Sequence, residues 1–206
     1  MVNSRHKIFI NIASSLKKQG DTIFIKKVSR LFKNEISLYG VKMVKVREII
    51  KNFYRRTPAL KNRRICINVA DELIKTEIFE NQIAGIFLLK TLVKKNEFQN
   101  ISYLKQLIIN YVKNWAACDT ISTDVIAEIV KRHPNKIYNL LKWNKSKNTL
   151  VRRSLLVTII KLKNDIKKWN TITNKLLYCF KKEKEDIVKK AIKWLKREKF
   201  SLCSSL

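Results

Sequence analysis

Trp115 and Asp119 stand four residues apart, Arg152 and Arg153 are adjacent, and Trp194 lies between Lys190 and Arg197. Helical spacing puts the members of the first and last sets on one side of a helix. A carboxylate between two indoles, with a guanidinium nearby, suits a positively charged sugar carried on a phosphate backbone. The carboxylate answers the charge, the indole faces favour a cation, and the arginine fork grips phosphate.

Each set also has a plainer reading. Around residue 118, Cys118, Ile121, Val125 and Ile129 form an inward stripe, with Trp115 and Asp119 roughly a quarter-turn off it. The alternative there is a packing tryptophan and a surface aspartate answering one of many lysines. After Asn148, the stripe is Val151, Leu155, Ile159 and Leu162, and Arg153 shares the opposite face with Val157 and Ile160. An arginine flanked by apolar residues fits a concave surface on which it holds phosphate. Its alternative, an ion pair, is disfavoured by the scarcity of acids. In the last helix Val188, Ala191 and Leu195 point inward, and Trp194 lies on the edge with Lys190 and Arg197. That arrangement suits stacking on a sugar or base with phosphate pairing; the alternative is a ring covering the helix boundary.

These helices belong to a chain of 206 residues with 45 basic and 16 acidic side chains, a net charge of +29. Such an excess favours nucleic acid or an anionic surface as partner. It thickens along the chain: residues 131–200 carry 22 basic and 5 acidic side chains. Only three glycines and two prolines punctuate the sequence, which leaves few hairpin turns and points to helices throughout. No apolar run approaches the ~18 residues a membrane span needs. The basic N-terminus is interrupted by Asn11 and Ser14, so a signal peptide is not expected. The four cysteines are scattered, without the paired spacing of a zinc site or disulfide framework, and an intracellular protein is the expectation.

Apolar spacing predicts about ten or eleven helices with no strand. Ile8, Ile12 and Leu16 mark the first, and Asp21 caps a second with Phe24, Val28, Leu31 and Phe32 inward. Thr57-Pro58 opens a helix carrying Cys66, Val69 and Leu73. Later helices begin near Asn135, Asn148, Asp165 and Glu185. Successive pairs of roughly 35–45 residues predict an all-α HEAT-like repeat solenoid, an α-α superhelix forming a single domain over 1–206, with a bundle as the alternative.

Together, Asn114-Trp115-x-x-Cys118-Asp119, then His133-Pro134, Trp143, Ser146 and Arg152-Arg153, then Lys190-Ala191-Ile192-x-Trp194-x-x-Arg197-Glu198 resemble the DNA alkylation repair family of HEAT-like repeat glycosylases, the AlkD type. The likeness is strong over about 114–198 and diffuse before it. It departs from the family pattern at Ala116, Leu150 and Lys193.

The resemblance implies a monofunctional DNA glycosylase that excises cationic purines such as N3-methyladenine and N7-methylguanine from duplex DNA. It implies Asp119 as the catalytic carboxylate, Trp115 and Trp194 as walls around the sugar, and Arg153 as the arginine gripping the backbone. Arg152, Lys190 and Arg197 join them on the DNA, on a basic concave face. Neither cofactor nor metal is implied. The expected partner is double-stranded DNA with alkylated bases, and the expected protein is a cytoplasmic monomer with no membrane association. Two alternatives remain: a non-catalytic helical-repeat protein that binds nucleic acid, and a helical scaffold for acidic proteins.

Overall fold

The computed structural model of this chain describes residues 2–32 and 36–203. Among them are twelve α-helices and no strand, with one isolated parallel bridge between Ser37 and Ile78. The all-α expectation therefore holds. Contacts divide the chain into two compact units, Met1–Phe98 and Gln99–Leu206.

The first unit contains α1 (Val2–Lys17), α2 (Thr22–Ser29), α3 (Met43–Arg56), α4 (Arg63–Ile74) and α5 (Phe79–Lys94). Its spine is α5, in which every residue from Glu80 to Leu89 is buried. α4 and α3 pack against it, and α1 packs on α4 through Ile8, Ile12 and Leu16. Gly85 brings α4 and α5 together: a Cβ there would stand 2.5 Å from the Ala70 carbonyl oxygen. Two local expectations are corrected. Asp21 does cap α2, accepting from Ile23 and Phe24 N–H, but α2 has no buried residue and Leu31 is 65% exposed. An eight-residue amphipathic helix needs a facing surface to bury its stripe, and spacing alone does not supply one. Pro58 opens only a short 3₁₀ turn, and Asn62 caps α4 instead.

The loop before α3 is tied down by a buried charge. The Glu80 carboxylate accepts N–H groups from Tyr39 at 2.8 Å and from Gly40 and Val41 at 2.9 Å. Successive amides converge on one anion because Gly40 takes a left-handed φ of +82°.

The second unit contains α6 (Ile101–Tyr111), α7 (Trp115–Ile121), α8 (Ala127–Arg132), α9 (Ile137–Leu141), α10 (Thr149–Lys161), α11 (Trp169–Cys179) and α12 (Asp186–Cys203). A π-helical turn, Ser122–Ile126, joins α7 directly to α8. α10 is the central helix, buried at every residue from Arg153 to Ile160 and packed against α6, α7 and α12. Asparagines start four of the helices. Asn62, Asn100, Asn114 and Asn148 each accept the N–H three residues on, which satisfies a donor the first turn leaves open. No helix among the described residues is long and apolar enough to cross a membrane.

Two substitutions test this packing. Gly85→Ala forces α4 and α5 apart and is expected to cost about 1–3 kcal/mol. Glu80→Gln turns an NH₂ group against backbone donors and is expected to cost about 2–4 kcal/mol. Both should lower the urea midpoint with little change in slope, read by circular dichroism; an unchanged midpoint would refute the corresponding contact.

Candidate functional site

The site begins at the cap of α7. Asn114 accepts the Ala117 N–H at 2.8 Å, so Trp115 is the first helical residue and Asp119 follows one turn later. Cys118, Ile121, Val125 and Ile129 are fully buried, as their spacing predicts. Trp115 and Asp119, off that stripe, are both half-buried.

The wide turn after α7 locks this helix to α10. Ser122 Oγ donates to the Cys118 carbonyl at 2.6 Å and lies 2.7 Å from Ser154 Oγ. Thr158 Oγ1 donates to the Ser122 carbonyl. Both serines are fully buried, so the hydroxyl pair fixes the register of the two helices. Ser154 follows Arg153, and Ser122 lies three residues after Asp119. The seam therefore sets the arginine opposite the carboxylate.

Arg153 meets Asp119 as a two-pronged fork. Its Nε donates to Oδ1 at 2.8 Å and its Nη2 to Oδ2 at 2.7 Å. Nη1 donates to the Ile187 carbonyl on α12 at 2.7 Å. The guanidinium carbon stands 5.8 Å from the centre of the Trp115 ring, within cation–π range. Here the structure corrects the sequence reading, which set an acidic partner for Arg153 aside. Acids are scarce, but one acid 34 residues away suffices when the fold places it opposite, and Arg153 is only 7% exposed. Burial pushes the Asp119 carboxyl above its ordinary value, by more than the hydrogen bonds and charge of Arg153 pull it down.

Arg152 is also engaged. Its Nε and Nη2 donate to Glu183 at 2.8 and 3.0 Å, and its Nη1 donates to the Ser146 and Lys147 carbonyls. It clamps the turn before α10 to the segment before α12. Glu183 also accepts N–H groups from Lys184 and Glu185. Burial pushes the Glu183 carboxyl up, but the Arg152 hydrogen bond, the Glu185 amide, the Arg152 charge and the Lys184 amide together hold it below its ordinary value.

On α12, Ile187 and Trp194 are seven residues apart, which is two turns and nearly the same face. Trp194 therefore lies two turns, roughly 10 Å, further along α12 than the carbonyl that Arg153 holds. It is half-buried, and its indole N–H donates to Glu198, which Lys163 also pairs. Lys190 and Arg197 are exposed on the adjoining edge. The structure thus joins Asp119, Arg153 and Trp115 by direct contact, relates Trp194 to them through α12, and turns Arg152 to a separate acid.

Ser122, Ser154, Thr158 and Glu183 escaped the sequence reading. The serines did carry a signal: each falls beside an apolar stripe where an aliphatic residue is expected. Among the described residues no group of three His, Cys, Asp or Glu side chains is placed to hold a metal ion. Cys118 is a core residue whose thiol burial pushes up, and burial raises Cys66 to about 12. The Cys203 side chain lies outside the described residues.

The Arg152–Glu183 clamp has a pH signature. Because the folded state holds Glu183 below its ordinary 4.5, the clamp's stabilisation is present above that value and is lost as pH falls through the lowered one. Glu183→Gln should lower the melting temperature at pH 7 and flatten its decline below pH 4.5. Parallel acid limbs for variant and parent would exclude the clamp as a source of that decline.

Comparison with curated proteins finds no match. A family model described as DNA alkylation repair enzyme matches residues 12–199, and the chain belongs to that family.

Proposed function

We propose that this protein is a monofunctional DNA glycosylase of the HEAT-like, AlkD type, hydrolysing the N-glycosidic bond of N3-methyladenine and N7-methylguanine in duplex DNA. The observation that carries this reading is the Asp119 carboxylate, half-buried, held at both oxygens by Arg153, with Trp115 over the guanidinium.

A cationic purine is already a good leaving group, so the protein need not protonate it. The barrier lies in the positive charge that grows on deoxyribose as the bond lengthens. A fixed carboxylate lowers that barrier by matching the charge and positioning water. Burial makes the free Asp119 carboxylate costlier than an exposed one, and a developing cation relieves that cost only in the transition state. Arg153 has a positioning role: its fork fixes the plane of the carboxylate, and a backbone phosphate is the natural competitor for its donors. Trp115 and Trp194 wall the sugar against bulk water. Lys190 and Arg197 meet flanking phosphates, and Arg152 shapes the turn behind Arg153 as well as adding charge. In this reading the chain is a HEAT-like solenoid with a basic concave face, acting as a monomer on cytoplasmic DNA.

A second reading has one observation in its favour. A carboxylate doubly bonded by arginine resembles a structural ion pair, and a non-catalytic repeat protein that binds nucleic acid would have use for one.

Asp119→Asn separates the two. Wild type should release free methylated purines from methylated duplex DNA, and the variant should release them about 10²–10³-fold more slowly, with duplex affinity within a few fold. A folded wild type that binds duplex in a steeply salt-dependent way but releases no base would leave the second reading in place of the first.

A further inference from the structure

Away from Asp119, the second unit contains a groove of about 940 Å³ between α9 and α11. Leu141, Tyr138 and Ile137 of α9 form one wall, and Ile172, Leu176 and Cys179 of α11 form the other. Val130 and Leu162 close its floor. The α11 residues that line it run from Thr171 to Cys179 at helical spacing, a face ~12 Å long, and Lys168 at the cap extends it. Tyr138 stands 71% exposed at the edge. The two helices thus leave an apolar trough between them.

Its rim is one-signed. Lys131, Lys167, Lys168 and Lys175 border the trough, and the single acid among its lining residues, Asp165, is paired with Lys131 at 3.0 Å. In a chain of +29, basic residues alone select no ligand. The selective feature is the apolar floor beneath them. Nucleic acid presents no apolar face of helical shape to such a floor. An amphiphile with one headgroup would match cations gathered at one end, whereas Lys168 stands at the cap of α11, Lys175 is seven residues further along it, and Lys131 belongs to α8. Carboxylates spread along an apolar ridge match this pattern.

We propose that the α9–α11 groove is a docking site for a short acidic amphipathic helix of a partner protein, its leucine-type ridge on Tyr138, Leu141 and Ile172 and its carboxylates on the rim lysines. This is helix-in-groove recognition, with anchors at i, i+3, i+4 and i+7. The inference is independent of the glycosylase reading.

The experiment uses full-length protein carrying Cys203→Ser, so that Cys179 is the exposed thiol while Cys66 and Cys118 stay buried. The probe is a fluorescein-labelled peptide of 14 residues with leucines at helical spacing and glutamates elsewhere. A scrambled peptide of the same composition serves as control, both at about 0.3 M salt to screen diffuse attraction. The helical peptide should bind at least tenfold more tightly than the scrambled one and slow alkylation of Cys179 by N-ethylmaleimide. Lys168→Glu with Lys175→Glu, both exposed positions, should reduce that affinity at least tenfold without changing the melting temperature. Equal affinity of the two peptides, an unprotected Cys179, or an indifferent double variant would each overturn the proposal. Protection of Cys179 by dodecanoate or by duplex DNA, but not by the helical peptide, would overturn it in favour of that ligand class.

Discussion

A single guanidinium joins three helices of the second unit. Arg153 projects from α10, grips the Asp119 carboxylate on α7 with two donors, and gives a third to the Ile187 carbonyl on α12. A buried charge with that many fixed partners tolerates little displacement, since any lost partner leaves a donor or a carboxylate oxygen without compensation. The Ser122–Ser154 pair enforces the same register from the side. The positions of Trp115 at the start of α7 and of Trp194 along α12 follow from it, because each lies a fixed number of turns from a residue that Arg153 holds.

Acids are few in this protein, and several of them are employed at joints. Glu80 gathers three backbone amides, Glu183 clamps Arg152, Glu72 receives Arg5 and His6, and Asp165 meets Lys131. Basic side chains outnumber acidic ones 45 to 16, and a strongly basic surface follows. That surface suits a polyanion whether or not a reaction follows binding.

The sequence disclosed periodic features and concealed those made by distant partners. The stripe Cys118, Ile121, Val125 and Ile129 and the cap at Asp21 depend only on spacing and local hydrogen bonds, and both are present. The exposure of α2 could not be read, because burial depends on what lies opposite. The acid opposite Arg153 escaped for the same reason: Asp119 is 34 residues away, and composition makes any one acid an improbable partner. The π turn at Ser122–Ile126 carries no spacing signal, since a five-residue widening leaves the flanking apolar pattern almost unchanged.

The asparagine caps have a consequence for what acid does to this molecule. Of the five side-chain caps seen, at Asp21, Asn62, Asn100, Asn114 and Asn148, four are amides that do not titrate. Several of the ties between distant segments, by contrast, run through carboxylates: Glu80, Asp119 and Glu183. Protonation therefore releases the joints before it releases the helix ends. The state reached in acid should keep its helices while losing their fixed packing, an expanded helical globule rather than a coil.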